Sequence, residues 1–289
     1  MCYSKEVSLF TTTVISAGSA VAWGRGYLRS VRERVSPQFT AFSRNAILGV
    51  FCIGVHQFAE YLSIETGNVW IYKAGLLASA SCMYFLMRSL EALISRRFGS
   101  RGFLLLLGAL AVQIAFKPMV FENMHFWVRG YSHVVWSGVW MAMFLYWNVA
   151  IFFVWSRMPS APNRRLLLTY PFGVLNVSWL LCLAYAFVAV LVQRSPAGLP
   201  LLAAVSPDGA LRSFNVVHDL PSIWCAFVAI QAILMPIFLT RMQKYDFSAP
   251  LVEGPLPIGR CVATAAVLWV VTFSTWPLFM GVSLKMLTQ

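Results

Sequence analysis

The sequence predicts an all-α, polytopic transmembrane helix bundle, and three observations lead there. Of 289 residues 59% are hydrophobic and 11% charged, with a mean hydropathy of +0.71, whereas a soluble domain carries about 25% charge. The apolar residues come in long runs, and roughly 20 such residues cross the hydrocarbon of a bilayer as a helix. These runs lack the alternation of barrel strands, and in lipid only a helix or a closed barrel satisfies its own backbone.

Spans are expected at 8 to 24, 45 to 64, 69 to 94, 102 to 118, 132 to 156, 168 to 192, 221 to 240 and 261 to 284. The first is marginal, because Thr11, Thr12, Thr13, Ser16 and Ser19 must return their hydroxyls to helix carbonyls. Without it seven spans remain. Eight spans leave no room for a soluble catalytic domain, so residues 1–289 read as a single integral membrane domain. The connections 193 to 220 and 241 to 260 are the longest, and neither is long enough to fold alone. No internal repeat or heptad recurs, and Gly and Pro do not interrupt matching halves as in inverted-repeat transporters.

The net charge of +12 first brings nucleic acid to mind, but the basic residues are dispersed between apolar runs. They read as topology signals, and nucleic acid is not an expected partner. The loops after spans one, three, five and seven hold Arg25, Arg29, Arg32, Arg34 and Arg44, then Arg88, Arg96, Arg97 and Arg101, then Arg157, Arg164 and Arg165, then Arg241, Lys244 and Arg260. That is fifteen of the twenty-two Lys and Arg residues. These loops are therefore expected to be cytoplasmic, with both termini outside, in an inner or plasma membrane. No removable signal peptide is apparent at the N-terminus. Six cysteines without CxxC spacing argue against a disulfide framework.

On this orientation every histidine falls in the outer half. The second span carries the sharpest feature, since Cys52, His56 and Glu60 recur every four residues on one face of an apolar helix. Ionisable groups at such depth are costly and point to function. A His and a carboxylate one turn apart can share a metal with a thiolate, act as a proton relay, or simply lock the bundle. The start of span seven offers His218, Ser222 and Cys225 at helical spacing, although Asp219 and Pro221 there also suit plain capping. Cys2 offers a thiol on the same side. Arg88 and Glu91 are expected to pair and snorkel, and Asn148 and Asn176 to bond between helices. No HExxH, GxSxG, Walker loop or SxxK occurs, and no lysine sits mid-membrane in span seven or eight for a retinal Schiff base.

Met1-Cys2-Tyr3-Ser4 with Ser8, then His56-Gln57-Phe58-Ala59-Glu60, then Ser222-Ile223-Trp224-Cys225-Ala226-Phe227 form an ordered trio of motifs. In these the chain resembles an uncharacterised family of bacterial multi-pass membrane proteins. That family lends no activity, but the likeness groups Cys2, His56, Glu60 and Cys225. Its members end soon after the Ser-x-Trp-Cys helix, so 261 to 284 reads as an addition. The expectation is a lipid-embedded protein with an outward-facing polar pocket. Cys2, His56, Glu60 and His218 would bind a transition metal there, zinc or copper, within reach of a small molecule or ion from the outer side. A proton-coupled transporter or permease using Glu60 and His56, and a structural subunit of a membrane complex, are the alternatives.

Overall fold

A computed structural model of the chain describes residues 23–33, 36–116, 120–122, 125–127, 131–158 and 254–280, with Val252 and a few positions between 13 and 21. A π-helical turn, Trp23–Tyr27, leads into α1 (Leu28–Arg32). Then come α2 (Pro37–Thr66), α3 (Val69–Ile94), α4 (Ser100–Phe116), β1 (Val120–Glu122), β2 (His125–Trp127), α5 (Tyr131–Ser156) and α6 (Ile258–Met280). Among the described residues, three stretches are long and apolar enough to cross a membrane: Pro37–Ser63, Val69–Ile94 and Gly138–Ser156. The chain is therefore a helical membrane protein. The expected spans 168 to 192 and 221 to 240, and most of 8 to 24, lie outside the described residues.

Helix α2 starts at Pro37, whose fixed φ and missing N–H suit a first helical turn. Sequence reasoning began this span at residue 45, within the polar trio Ser43, Arg44 and Asn45. The helix absorbs that trio: Ser43 is buried, Arg44 points out, and Asn45 Nδ2 donates to its own helix at Ala41 O, 2.7 Å away. The extra turns bury Phe39 and Phe42 in the main core beside Met87, Leu90 and Phe98.

The α2–α3 turn is fixed by local polar chemistry. Gly67 takes a left-handed φ of 65°, which glycine adopts without steric cost. Thr66 Oγ1 donates to Leu62 O at 2.7 Å, and Asn68 Oδ1 accepts from Trp70 N at 2.9 Å to cap α3. The two helices then run antiparallel in close contact. A Cβ built on Gly49 would lie 3.5 Å from Cys82 O, and one on Gly75 would lie 2.9 Å from Ala59 Cβ. Small residues are the usual means of drawing membrane helices together, because lipid supplies no hydrophobic drive between them.

Helix α4 is held at both ends by charged side chains of α3. At its start, Glu91 Oε1 accepts from the backbone N–H groups of Phe98, Gly99 and Ser100 at 2.9, 3.0 and 2.9 Å. Glu91 Oε2 takes the Ser100 hydroxyl at 2.7 Å. At its end, the buried Lys73 donates from Nζ to Ala115 O at 3.0 Å and lies 4.4 Å from the centre of the Trp70 ring. Both charges match the helix dipole, negative at the N-terminus and positive at the C-terminus. The eighteen-residue separation of Lys73 and Glu91 spans about 27 Å of α3, close to the roughly 25 Å length of α4. Replacing Lys73 with methionine keeps most of the packing and removes the donor. A loss of about 1–2 kcal/mol is expected in detergent unfolding, and an unchanged midpoint would remove Lys73 from this role.

Two sequence expectations need correction, and one short hairpin was not anticipated. The 119 to 131 connection carries this hairpin, pairing Val120 with Trp127, Phe121 with Phe126 and Glu122 with His125, and the rest of the described fold is helical. Asn148 Nδ2 bonds within α5, to Phe144 O at 2.8 Å, and does not bridge helices through that donor; Asn176 lies outside the described residues. Arg88 and Glu91 do pair, at 3.0 Å, but only Arg88 reaches outward, because the amides ahead of α4 hold Glu91 inside.

The end of α3, the starts of α2, α4 and α6 and the end of α5 meet at one end of the bundle. Gln38 Nε2 donates to Ser95 Oγ at 2.6 Å and Tyr146 Oη to Phe98 O at 2.7 Å, while Arg96 bonds Gly254 O and Arg157 bonds Pro255 O. Val252 is buried in the same core. This is the end that carries the described arginines. The Gly67 turn, Lys73 and the hairpin lie at the opposite, far end. Helix α6 packs along α5, with Trp269 Nε1 donating to Gly138 O at 2.7 Å and Cys261 buried against Val149.

Candidate functional site

The polar stripe sits on α2, in the half nearer the far end. His56 precedes the helix terminus at Thr66 by ten residues, about 15 Å, and Glu60 by six, about 9 Å. His56 is half-buried at the α2–α3 contact, and its Nδ1 is sealed from solvent. The reason is Gly75: a Cβ there would stand 3.4 Å from Nδ1 and 3.3 Å from His56 O. The missing side chain on α3 is what leaves room for the imidazole. Cys52, one turn below, is half-buried, and Cys82 on α3 is buried; both are free thiols.

Of the four residues expected to ligate metal, the structure describes the side chain of His56 alone. Glu60 is placed by its backbone one turn beyond His56 on α2, while Cys2 and His218, like Ser222 and Cys225, lie outside the described residues. Among the described residues, no group of three or more His, Cys, Asp or Glu is gathered to hold an ion. His56 alone therefore represents the expected ligand set, and a complete set would need those other residues.

Sequence reasoning missed two features. The first is that polarity inside α2 extends past the four-residue stripe: Gln57 and Ser63 are both buried, at 3% and 0% exposure. Gln57 could have been noticed, being inside the motif, but a four-residue period assigns it to another face. The second is the carboxylate of Glu91, which collects three backbone amides and a hydroxyl. Its partners lie seven to nine residues downstream, beyond the reach of a local capping box, so no short motif announces it.

No protein-family model, no curated protein and no solved structure matches the chain.

Proposed function

We propose that the chain is a multi-pass protein of an inner or plasma membrane whose outward-facing half carries a polar site built on His56 and Glu60. It takes a transition-metal ion, zinc or copper. Cys2 and His218 complete the ligand set, in a bundle of eight spans with both termini outside; the seven-span alternative puts the N-terminus inside and takes Cys2 away from the site. The observation that carries the reading is the seat of His56. An imidazole at this depth is costly, and Gly75 opens the neighbouring helix for it.

Sidedness follows from the arginines, since the arginine-bearing end takes the cytoplasm and the His56 half takes the outside. Thiols introduced as Val205→Cys and Ser248→Cys report on it: an impermeant reagent added outside is expected to modify the first and spare the second. The reverse pattern would invert the topology.

Metal binding links to stability, because only the folded chain assembles the site. Zinc at about 100 times its dissociation constant stabilises by about 2.7 kcal/mol. That gain is expected in the wild-type chain and absent from His56→Ala, and it weakens as pH falls because protons compete for the ligands. An equal gain in both proteins would refute the role of His56.

The buried Gln57 and Ser63, on the same helix as His56 and Glu60, favour a second reading. Here they line a polar track of a proton-coupled permease, with Glu60 and His56 as relay. In that case Glu60→Gln abolishes proton movement in vesicles without changing metal content.

A further inference from the structure

The arginine-bearing end holds far more positive charge than its described carboxylates neutralise. Glu33 is engaged by Arg29 at 2.7 Å, and Glu91 is turned inward onto the start of α4 and paired with Arg88. Arg96 and Arg157 are engaged by the carbonyls of Gly254 and Pro255. Arg25, Arg32, Arg97 and Arg101 are exposed, and no carboxylate pairs with them among the described residues. They lie at one end, because Tyr27 packs on the core that holds Phe98 and because Gln38 bonds Ser95, beside Arg97. Guanidinium keeps its charge at any physiological pH and presents forked donors that match phosphate oxygens.

Large apolar groups stand among these arginines. Trp23 is 48% exposed and stacks at 6.3 Å on Tyr27, and Val31 is 52% exposed. A soluble polyanion would satisfy the arginines but leave Trp23 and Val31 in water. A phospholipid surface satisfies both, with phosphates on the guanidinium groups and the apolar side chains at the acyl boundary. The position agrees, since Pro37 and Ile94 end two stretches long enough to cross the membrane, and the headgroup layer begins there.

We infer that Trp23–Arg32, together with Arg97 and Arg101, forms a docking surface for the phosphate headgroups of anionic phospholipids. The segment lies in the headgroup layer and anchors that end of the bundle. This inference needs the bundle to cross the membrane and is independent of the metal site.

The test uses the full chain in vesicles of phosphatidylcholine containing phosphatidylglycerol as the minority lipid, followed by analysis of the lipid retained through detergent purification. Wild-type protein is expected to retain phosphatidylglycerol in excess over its bulk fraction, and added salt should reduce the excess. A variant combining Arg25→Gln, Arg32→Gln, Arg97→Gln and Arg101→Gln is expected to lose it, at about fivefold in affinity per arginine near an anionic surface. The matching arginine-to-lysine variant, which keeps the charge, is expected to preserve most of it, and equal unfolding midpoints show that both variants are folded. Wild-type protein without enrichment, or a glutamine variant that keeps it, would overturn the inference. So would co-purifying RNA with no lipid preference, which would assign the patch to nucleic acid.

Discussion

Glu91→Ala is expected to destabilise the protein by about 3–5 kcal/mol, the usual cost of breaking one side of a buried charged network. Three backbone N–H groups, the Ser100 hydroxyl and the Arg88 guanidinium all lose their acceptor at once. Buried donors left without partners in a low-dielectric setting carry the full cost of their lost hydration. Helix α4 then keeps its hold at Lys73 and loses it at Ser100, so hydrogen exchange should accelerate first in residues 98 to 103. Glu91→Gln is the informative control, because its amide oxygen can still accept from Phe98, Gly99 and Ser100 while the charge facing Arg88 is gone. A loss of about 1.5–3 kcal/mol is expected there, the size of hydrogen bonds to a charged group. An alanine variant within about 1 kcal/mol of wild type, less than a single hydrogen bond to a charged group contributes, would show that α4 is positioned by packing alone.

The second large effect is expected at Gly75. Alanine there places its Cβ 2.9 Å from Ala59 Cβ, closer than non-bonded carbons come, and 3.3 Å from His56 O, a tight contact that a small shift must relieve. Neither neighbour is the free end of a long side chain, so α2 and α3 must separate, at a cost of about 1–3 kcal/mol. Gly49→Ala is the counterpart on the same interface. Its nearest contacts are 3.4 to 3.5 Å, and two of the three are with the Leu86 side chain. With ordinary contact distances and a better helix former, it is expected to be neutral or to stabilise by up to about 1 kcal/mol. Thermal unfolding of the two variants side by side checks the helix spacing, and equal effects would contradict it. Because His56 sits at the same contact, Gly75→Ala should also lower zinc-dependent stabilisation, which Gly49→Ala should spare.

The helices were legible where composition decides them. Residues 69 to 94 read as a span and are α3, because no charged residue interrupts the run between Lys73 and Arg88. The start of α2 was misjudged, since hydropathy cannot distinguish a polar residue that faces water from one that bonds its own helix, as Asn45 does. The hairpin after α4 was missed because β1 and β2 are three residues each, too short for an alternation to register. His56 was legible as a costly group at depth, but Gly75 was not legible as its partner. A helix contact between residues nineteen apart in sequence depends on how two helices pack, and no spacing rule within one helix contains it. Glu91 was read as a surface pair because Arg88 stands one turn away. Its capping role depends on the fold of the α3–α4 connection, where Ser95 takes a left-handed φ of 55°.

The proposed site is tested most directly by the metal content of the full chain after gentle purification without chelators, measured beside His56→Ala of equal folded fraction. Near-stoichiometric zinc or copper in the wild-type protein and its loss from His56→Ala is the predicted result. Wild-type protein without metal, or His56→Ala retaining it in full, would contradict a metal site at His56.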